Sequence, residues 1–282
     1  MNWEQIKTEF SFYQGIAMTV PYWNHHIKQM DEKIESDPGW YANDQVEAQY
    51  KGPYRVHLKR RRDYLQTIIN QWYTDNFPGT RNFKVIDIGC GDGQHLMWIK
   101  NLPHGIDVHG SIELYGSDYN LLRLRRASKN VPSAKLLLMD ILDIPFDDNY
   151  FHIILCNHVL EHIQDDQLAF KELGRVLSHG GILILGVPYE GSKWWQLAYD
   201  LEPNLREITD HVHFYTADDI YHLIKSTGLR CKETKYIGYG LPHFTADSIF
   251  RNIDGMDNIM EKIGQTYFKE QASSLYFIIQ KK

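Results

Sequence analysis

The stretch that most constrains this chain is Phe83-Lys-Val-Ile-Asp-Ile-Gly-Cys-Gly-Asp-Gly-Gln-His-Leu-Met-Trp-Ile99. A short apolar run rich in β-branched residues (Val85, Ile86, Ile88) stops at Gly89-Cys90-Gly91-Asp92-Gly93, and a helical pattern carried by Leu96, Trp98 and Ile99 begins at once. Strand, glycine turn and helix follow in that order. A turn without Cβ atoms admits positive φ and lets a ligand lie against the backbone. The helix behind it points free N–H groups and the positive end of its dipole at that ligand. A nucleoside-bearing ligand is the natural occupant.

The glycine spacing narrows the choice. A dinucleotide fingerprint reads G-x-G-x-x-G, so that the helix can close on a pyrophosphate. Here the third glycine comes one position early, and Gln94 stands where the fingerprint wants Gly or Ala. Asp87, at the end of the strand, would repel a pyrophosphate and welcome an ammonium. A cationic nucleoside fits better than a dinucleotide, which disfavours a nicotinamide-dependent oxidoreductase.

Asp87-Ile-Gly-Cys-Gly-Asp-Gly93 resembles the first motif of class I methyltransferases, which bind S-adenosylmethionine, a ligand with an ammonium, a carboxylate and a sulfonium. The resemblance implies that Asp87, Gly89, Cys90, Gly91, Asp92 and Gly93 form the donor turn. Three further motifs follow in order. The second strand, Ile112 to Ser117, closes at Asp118, whose two acceptor oxygens match a ribose diol, with Tyr119 placed to lie against adenine. A strand-end Asp that merely caps the next helix is the plainer reading. The third strand, Lys135 to Met139, ends in Asp140-Ile141. There the family's carboxylate accepts from the adenine amino group and the next N–H donates to the ring.

The fourth strand, Phe151 to Cys156, opens into Asn157-His-Val-Leu-Glu-His-Ile163. This resembles, nearly letter for letter, the fourth motif of the small-molecule branch that includes quinone-biosynthesis and sugar or natural-product methyltransferases. The resemblance sets Asn157 and His158 beside the methionine end of the donor. His158, Glu161 and His162 either touch donor or acceptor, or order the loop. Read alone, His158-x-x-Glu161-His162 also matches the H-x-x-E-H signature of inverted zincins. That motif needs both histidines on one face of a continuous helix, and His158 directly follows a buried strand. No metal is expected.

Around this centre the chain reads as α/β. Residues 1–53, rich in Trp, Tyr, Phe and His, read as a helical N-terminal extension, either structural or a lid over the acceptor pocket. Residues 54–282 form the methyltransferase domain. Its first helix, within 55–73, shows Leu65, Ile68, Ile69 and Trp72 on one face and Arg60, Arg61 and Arg62 on or beside a solvated face. In similar enzymes a Tyr or Arg here reaches the methionine carboxylate, so Tyr54 and Arg55 are candidates. An amphipathic helix carrying Leu168, Leu173, Val176 and Leu177 precedes a Ser178 to Gly181 turn and the strand Ile182 to Val187. Acceptor-side segments are expected at about 189–226 and 240–270, with Thr216 and Asp219 forming a capping box. Further strands fall at 229–239 and 274–279. Seven strands with intervening helices give a doubly wound sheet, and the resemblance implies a Rossmann-like methyltransferase fold with an antiparallel last strand.

Methyl transfer to a hydroxyl needs alignment, exclusion of water and removal of a proton. Imidazole titrates near operating pH, making His211 and His213 the first candidate bases and His158 the second; a neutral amine acceptor would need none. The expected reaction is therefore donation to a small-molecule acceptor, most simply a hydroxyl oxygen of a sugar, lipid-linked or natural-product molecule. N- or C-methylation and a non-catalytic, methyltransferase-like scaffold stay open as alternatives. The chain has 282 residues with 43% hydrophobic and 23% charged content, ordinary for a globular protein. A net charge of -6 argues against a nucleic-acid surface. Three cysteines make no disulfide framework, and no leader or membrane-spanning run is visible. A cytoplasmic location is expected, with a homodimer left open.

Overall fold

The computed structural model describes residues 1–19, 54–76, 83–100, 112–204, 210–253 and 255–282. Among the described residues nine strands form one sheet: β1 (Ser11–Tyr13), β2 (Ile16–Met18), β3 (Phe83–Ile88), β4 (Ile112–Asp118), β5 (Lys135–Leu138), β6 (Phe151–Asn157), β7 (Leu177–Pro188), β8 (Arg230–Tyr239) and β9 (Ala272–Gln280). Their order is β1-β2-β5-β4-β3-β6-β7-β9-β8. From β2 to β7 every neighbour is parallel, while β9 runs antiparallel between β7 and β8.

Side-chain alternation sorts the core into two layers. Ile86 and Ile88 of β3, Ile154 and Cys156 of β6, and Leu183 and Leu185 of β7 face one side. Val85, Ile153, Leu155, Ile182 and Ile184 face the other. A parallel sheet covered on both faces reads as continuous apolar runs. One layer is completed by α1 (Trp3–Glu9), α5 (Asp166–Val176) and α7 (Ala217–Ser226), with α6 (Lys193–Leu201) lying between the last two in the chain. The other is completed by α2 (Arg55–Asn76), α3 (Gln94–Lys100) and α4 (Leu121–Asn130). Helix α5 buries Ala169, Phe170, Leu173 and Val176, whereas Leu168 is exposed. Thr216 caps α7 as expected: Asp219 N donates to its hydroxyl, and its own N–H donates to the Asp219 carboxylate at 2.8 Å.

The doubly wound fold expected from the sequence is present, with two strands more than the seven anticipated. The addition lies at the N-terminus. Residues 11–18 form a hairpin, with both Gln14 (φ 50°) and Gly15 (φ 81°) left-handed at its turn, the backbone that a tight hairpin requires. Strand β2 then pairs in parallel with β5, Ile16 opposite Leu136, and is buried throughout. Helix α1 locks the arrangement by placing Trp3 edge-on to Tyr115 at 5.8 Å and burying Ile6 fully. Thus the start of the chain builds the sheet edge and is not a purely helical lid. Residues 20–53, the remainder of that expected extension, lie outside the described residues.

The basic helix face also differs from expectation. Arg60 Nη1 donates to Asp257 Oδ2 at 2.5 Å, joining α2 to α9 (Met256–Tyr267). Arg251 of α8 (Phe244–Arg251) is 3% exposed and donates to Asp247 at 2.6 Å and to Asp257. Buried ions must be paired, and this network ties the 242–270 segment to α2 and β8. Trp3→Ala should lower unfolding free energy by about 3–5 kcal/mol, the usual cost of emptying a buried aromatic site. Urea denaturation measures it; a loss under about 1 kcal/mol would mean that the N-terminal elements are not integral to the sheet.

Candidate functional site

The C-terminal ends of the parallel strands converge on one cavity. It has a volume of about 700 Å³ and is walled by Ile88 and Gly89 after β3, Ser117 to Asn120 and Arg123 after β4, Met139 to Leu142 after β5, and His158, Val159 and His162 to Gln164 after β6, with Asp210 closing one side. Of the sequence candidates, Gly89, Asp118, Tyr119, Asp140, Ile141 and His158 line it.

Asp118 holds the wall together. Its Oδ2 accepts from Gly91 N and its Oδ1 from Asn120 N, both at 2.8 Å. Cys90 N donates to Ser117 O at 2.8 Å, so the glycine turn is sewn to the neighbouring strand tip. Burial pushes the Asp118 carboxyl above the usual range, against the pull of Arg123 and of those two N–H groups. Each carboxylate oxygen keeps a second lone pair for a ligand hydroxyl. Nearby, Asp140 Oδ1 accepts from Leu142 N at 2.9 Å. Asn120 Nδ2 is buried in the same wall without a hydrogen-bond partner. The ring of Tyr119 is 42% exposed along the wall.

The glycines act by close approach. Gly89 has φ +71°, and a Cβ there would stand 2.2 Å from Val159 Cγ2. A Cβ on Gly91 would stand 2.7 Å from an Arg123 guanidinium nitrogen. Asn120 is the N-cap of α4, its side chain accepting from Arg123 N, and the motif pattern points to neither residue. The signal available was their place in the first turn of the helix after β4, over glycines that leave room.

Several candidates sit elsewhere. Asp87 is not the last residue of its strand: β3 continues to Ile88, and Asp87 faces the layer of α2, α3 and α4 with Val85, 1% exposed. Its carboxylate oxygens accept no hydrogen bond, and His95 Nδ1 of α3 is 3.3 Å away. Asp92 is fully buried and paired with Arg123 at 3.4 Å and Arg126 at 3.7 Å, a brace between the turn and α4. Cys90, whose thiol burial pushes well above its usual pKa, packs against Gly116 of β4, and Gly93 packs against Ala127 of α4. Tyr54 lies against Arg251, 5.7 Å from its guanidinium, and Arg55 opens α2; neither lines the cavity. The α2 side chain that reaches the site region is Arg61, whose Nη1 meets His158 Nε2 at 3.1 Å and whose Nη2 donates to Ser274. Asn157 Oδ1 is buried without a partner beside Gly186.

The three candidate bases are separated by their surroundings. His158 has φ +55°. A guanidinium can only donate, so Arg61 occupies the Nε2 lone pair of His158, and burial followed by the Arg61 charge lowers its pKa. His213 Nε2 contacts Ile163 O at 3.0 Å, and its ring stacks on Tyr215, away from the cavity lining. His211 Nδ1 is 2.6 Å from Glu190 Oε2. Burial lowers its pKa, but the Glu190 hydrogen bond and charge outweigh this and raise it. Its ring meets His162, which does line the cavity, at 4.8 Å between centroids.

Residues 86–185 match the family profile described as methyltransferase domain. Among curated proteins, demethylmenaquinone methyltransferase of Staphylococcus carnosus (strain TM300) is 33% identical over 104 residues, which cover 36% of this chain and 41% of that protein. An uncharacterized 37.1 kDa protein in transposon TN4556 of Streptomyces fradiae is 31% identical over 131 residues, covering 45% and 36% respectively. This chain thus spans about two-fifths of the length of these relatives. Among solved structures, the chain seen in complex with the Haloferax volcanii Trm112 methyltransferase activator has a TM-score of 0.56 at 16% identity, covering 86% of this chain and 95% of that one. The [4+2]-cyclase SpnF has a TM-score of 0.52 at 16% identity, covering 78% and 80%. The fold is shared with both, and a fold alone does not choose between such chemistries.

Gly89→Ala should lose more stability than the roughly 1–2 kcal/mol that left-handed backbone costs an L-residue, because the Val159 contact adds to it. Adding Val159→Ala should return the steric part, a coupling readable in a double-mutant denaturation cycle. Strict additivity would show that the two do not meet.

Proposed function

We propose, from the premise that this chain is a class I methyltransferase, that it transfers a methyl group from S-adenosylmethionine to the hydroxyl oxygen of a small molecule. The observation that carries this reading is the convergence of Asp118, Asp140, Tyr119 and the Gly89 turn on one cavity of about 700 Å³. These residues fit the donor. Asp118 offers two lone pairs to a ribose diol, Asn120 Nδ2 is a buried donor still to be satisfied, and Tyr119 supplies a flat wall for a base. Asp140 and Ile141 line the same cavity, and this reading gives them the adenine amino group and ring nitrogen.

The donor supplies an electrophilic methyl on a sulfonium; the chain must place an acceptor in line with it and exclude water. The loop after β6 forms that end of the cavity, since His158, Val159, His162 and Ile163 line it. As the acceptor O–C bond forms and the S–C bond breaks, the hydroxyl proton must leave. With His158 engaged by Arg61 and His213 turned to Ile163 O, this task falls to the corner where His211 meets His162.

Asp118→Asn should keep the fold and weaken S-adenosylhomocysteine binding by tenfold or more, on the scale of about 1.5–3 kcal/mol for a hydrogen bond to a charged group. Isothermal calorimetry on both proteins provides the measurement. Equal heats for the two, or no binding by the unaltered chain, would remove the proposal.

A further inference from the structure

A buried, under-bonded carboxylate stands at that same corner. Glu161 is 1% exposed; its Oε2 accepts no hydrogen bond, and Oε1 faces His158 Nδ1 at 3.3 Å, the ring nitrogen left to carry the proton once Arg61 holds Nε2. Desolvating a carboxylate is costly unless something of opposite charge meets it. Facing it are His162 and His211, and one ligand atom from each of the three lies within 4.8 Å of the others. The geometry points to a site for a zinc-class divalent cation built from Glu161, His162 and His211.

Both imidazoles are already oriented as metal ligands are. His211 Nδ1 is held by Glu190 at 2.6 Å, and Glu190 is fixed in turn by the Tyr199 hydroxyl. His162 Nδ1 faces the Asp210 carbonyl at 3.2 Å. A metal-bound histidine characteristically gives its other ring N–H to a carboxylate or a carbonyl, and here that leaves Nε2 of each ring for the cation. The backbone fixes the partners too: Val212 N and His213 N donate to Glu161 O at 2.9 and 3.2 Å, clamping the 210–213 loop onto the Glu161 turn.

Two histidines and one carboxylate with an open position are the donor set of catalytic zinc sites. With bonds of about 2.1 Å, ligand atoms of a tetrahedral site stand about 3.4 Å apart, so the cluster must close slightly. His162, exposed on the cavity side, has the freedom to do so. Of the three residues His162 lines the cavity, so a cation held here would reach it from that side. There the cation would hold the acceptor hydroxyl, promote loss of its proton to water and leave its oxygen for the incoming methyl; His211 then serves as ligand. That role rests on the methyl-transfer reading, whereas cation binding does not.

The test titrates zinc into the full chain by calorimetry and cobalt(II) by visible absorption, without donor. One equivalent should bind with a spectrum of nitrogen and oxygen ligation. His211→Ala and His162→Ala should each weaken binding by at least about tenfold, and Glu190→Gln by about 10- to 100-fold, with metal-free melting curves reporting folding. Should His211→Ala unfold, His162→Ala on the exposed side decides the matter. No stoichiometric binding by the unaltered chain, or binding equal in the folded variants, would overturn the site. Donor binding measured in parallel without metal tests the donor cavity separately, so that failure of one site is distinguishable from failure of the other.

Discussion

The Asp118 carboxylate spans two elements that the chain makes far apart: the glycine turn after β3 and the start of the helix after β4. By accepting from Gly91 N and Asn120 N at 2.8 Å each, it fixes how the two strand tips meet. Backbone donors in a turn without secondary-structure partners need such acceptors. The cavity wall therefore follows from the sheet. Parallel pairing of β3 with both β4 and β6 brings three successive strand ends to one edge, and the loops leaving them have nowhere else to converge.

Charge is distributed unevenly about that edge. On one side the carboxylates of Asp118 and Asp140 are met by backbone N–H groups, which keeps them oriented while leaving lone pairs free to accept further. On the far side the Glu161 carboxylate has imidazoles near it, and its Oε2 accepts no hydrogen bond. Arg61, reaching in from α2 to His158, brings a fixed positive charge to the boundary between the two. Beside that polar corner Met139, Ile141, Leu142 and Val159 make an otherwise apolar wall.

The likeness of residues 86–185 to a methyltransferase domain covers the half of the sheet that carries the wall. Outside that stretch lie the hairpin that widens the sheet, the α8 and α9 pair held through Arg251 and Asp257, and the 210–213 loop that presents His211. Residues 189–204 and 210–213 reach the corner through Glu190 and Asp210, whereas α8 and α9 brace β8 and α2 without lining the cavity.

What the sequence by itself determined was local. Periodicity in Val85, Ile86 and Ile88, the turn glycines, the acidic strand ends at Asp118 and Asp140, and the Thr216–Asp219 box each depend on neighbours a few residues away, so the strands, the turn and the cap were legible. Tertiary structure decided everything that depends on which way a side chain leaves its strand and what it finds there. Asp87 turned to the layer of α2, α3 and α4 and Asp92 became a brace because alternation and the α4 arginines put them there. The arginine face of α2 was buried because α9 lies against it. His162 and His211 met Glu161 because a loop far along the chain is pinned to its carbonyl by two N–H groups, and no pattern within one segment encodes a contact made between two.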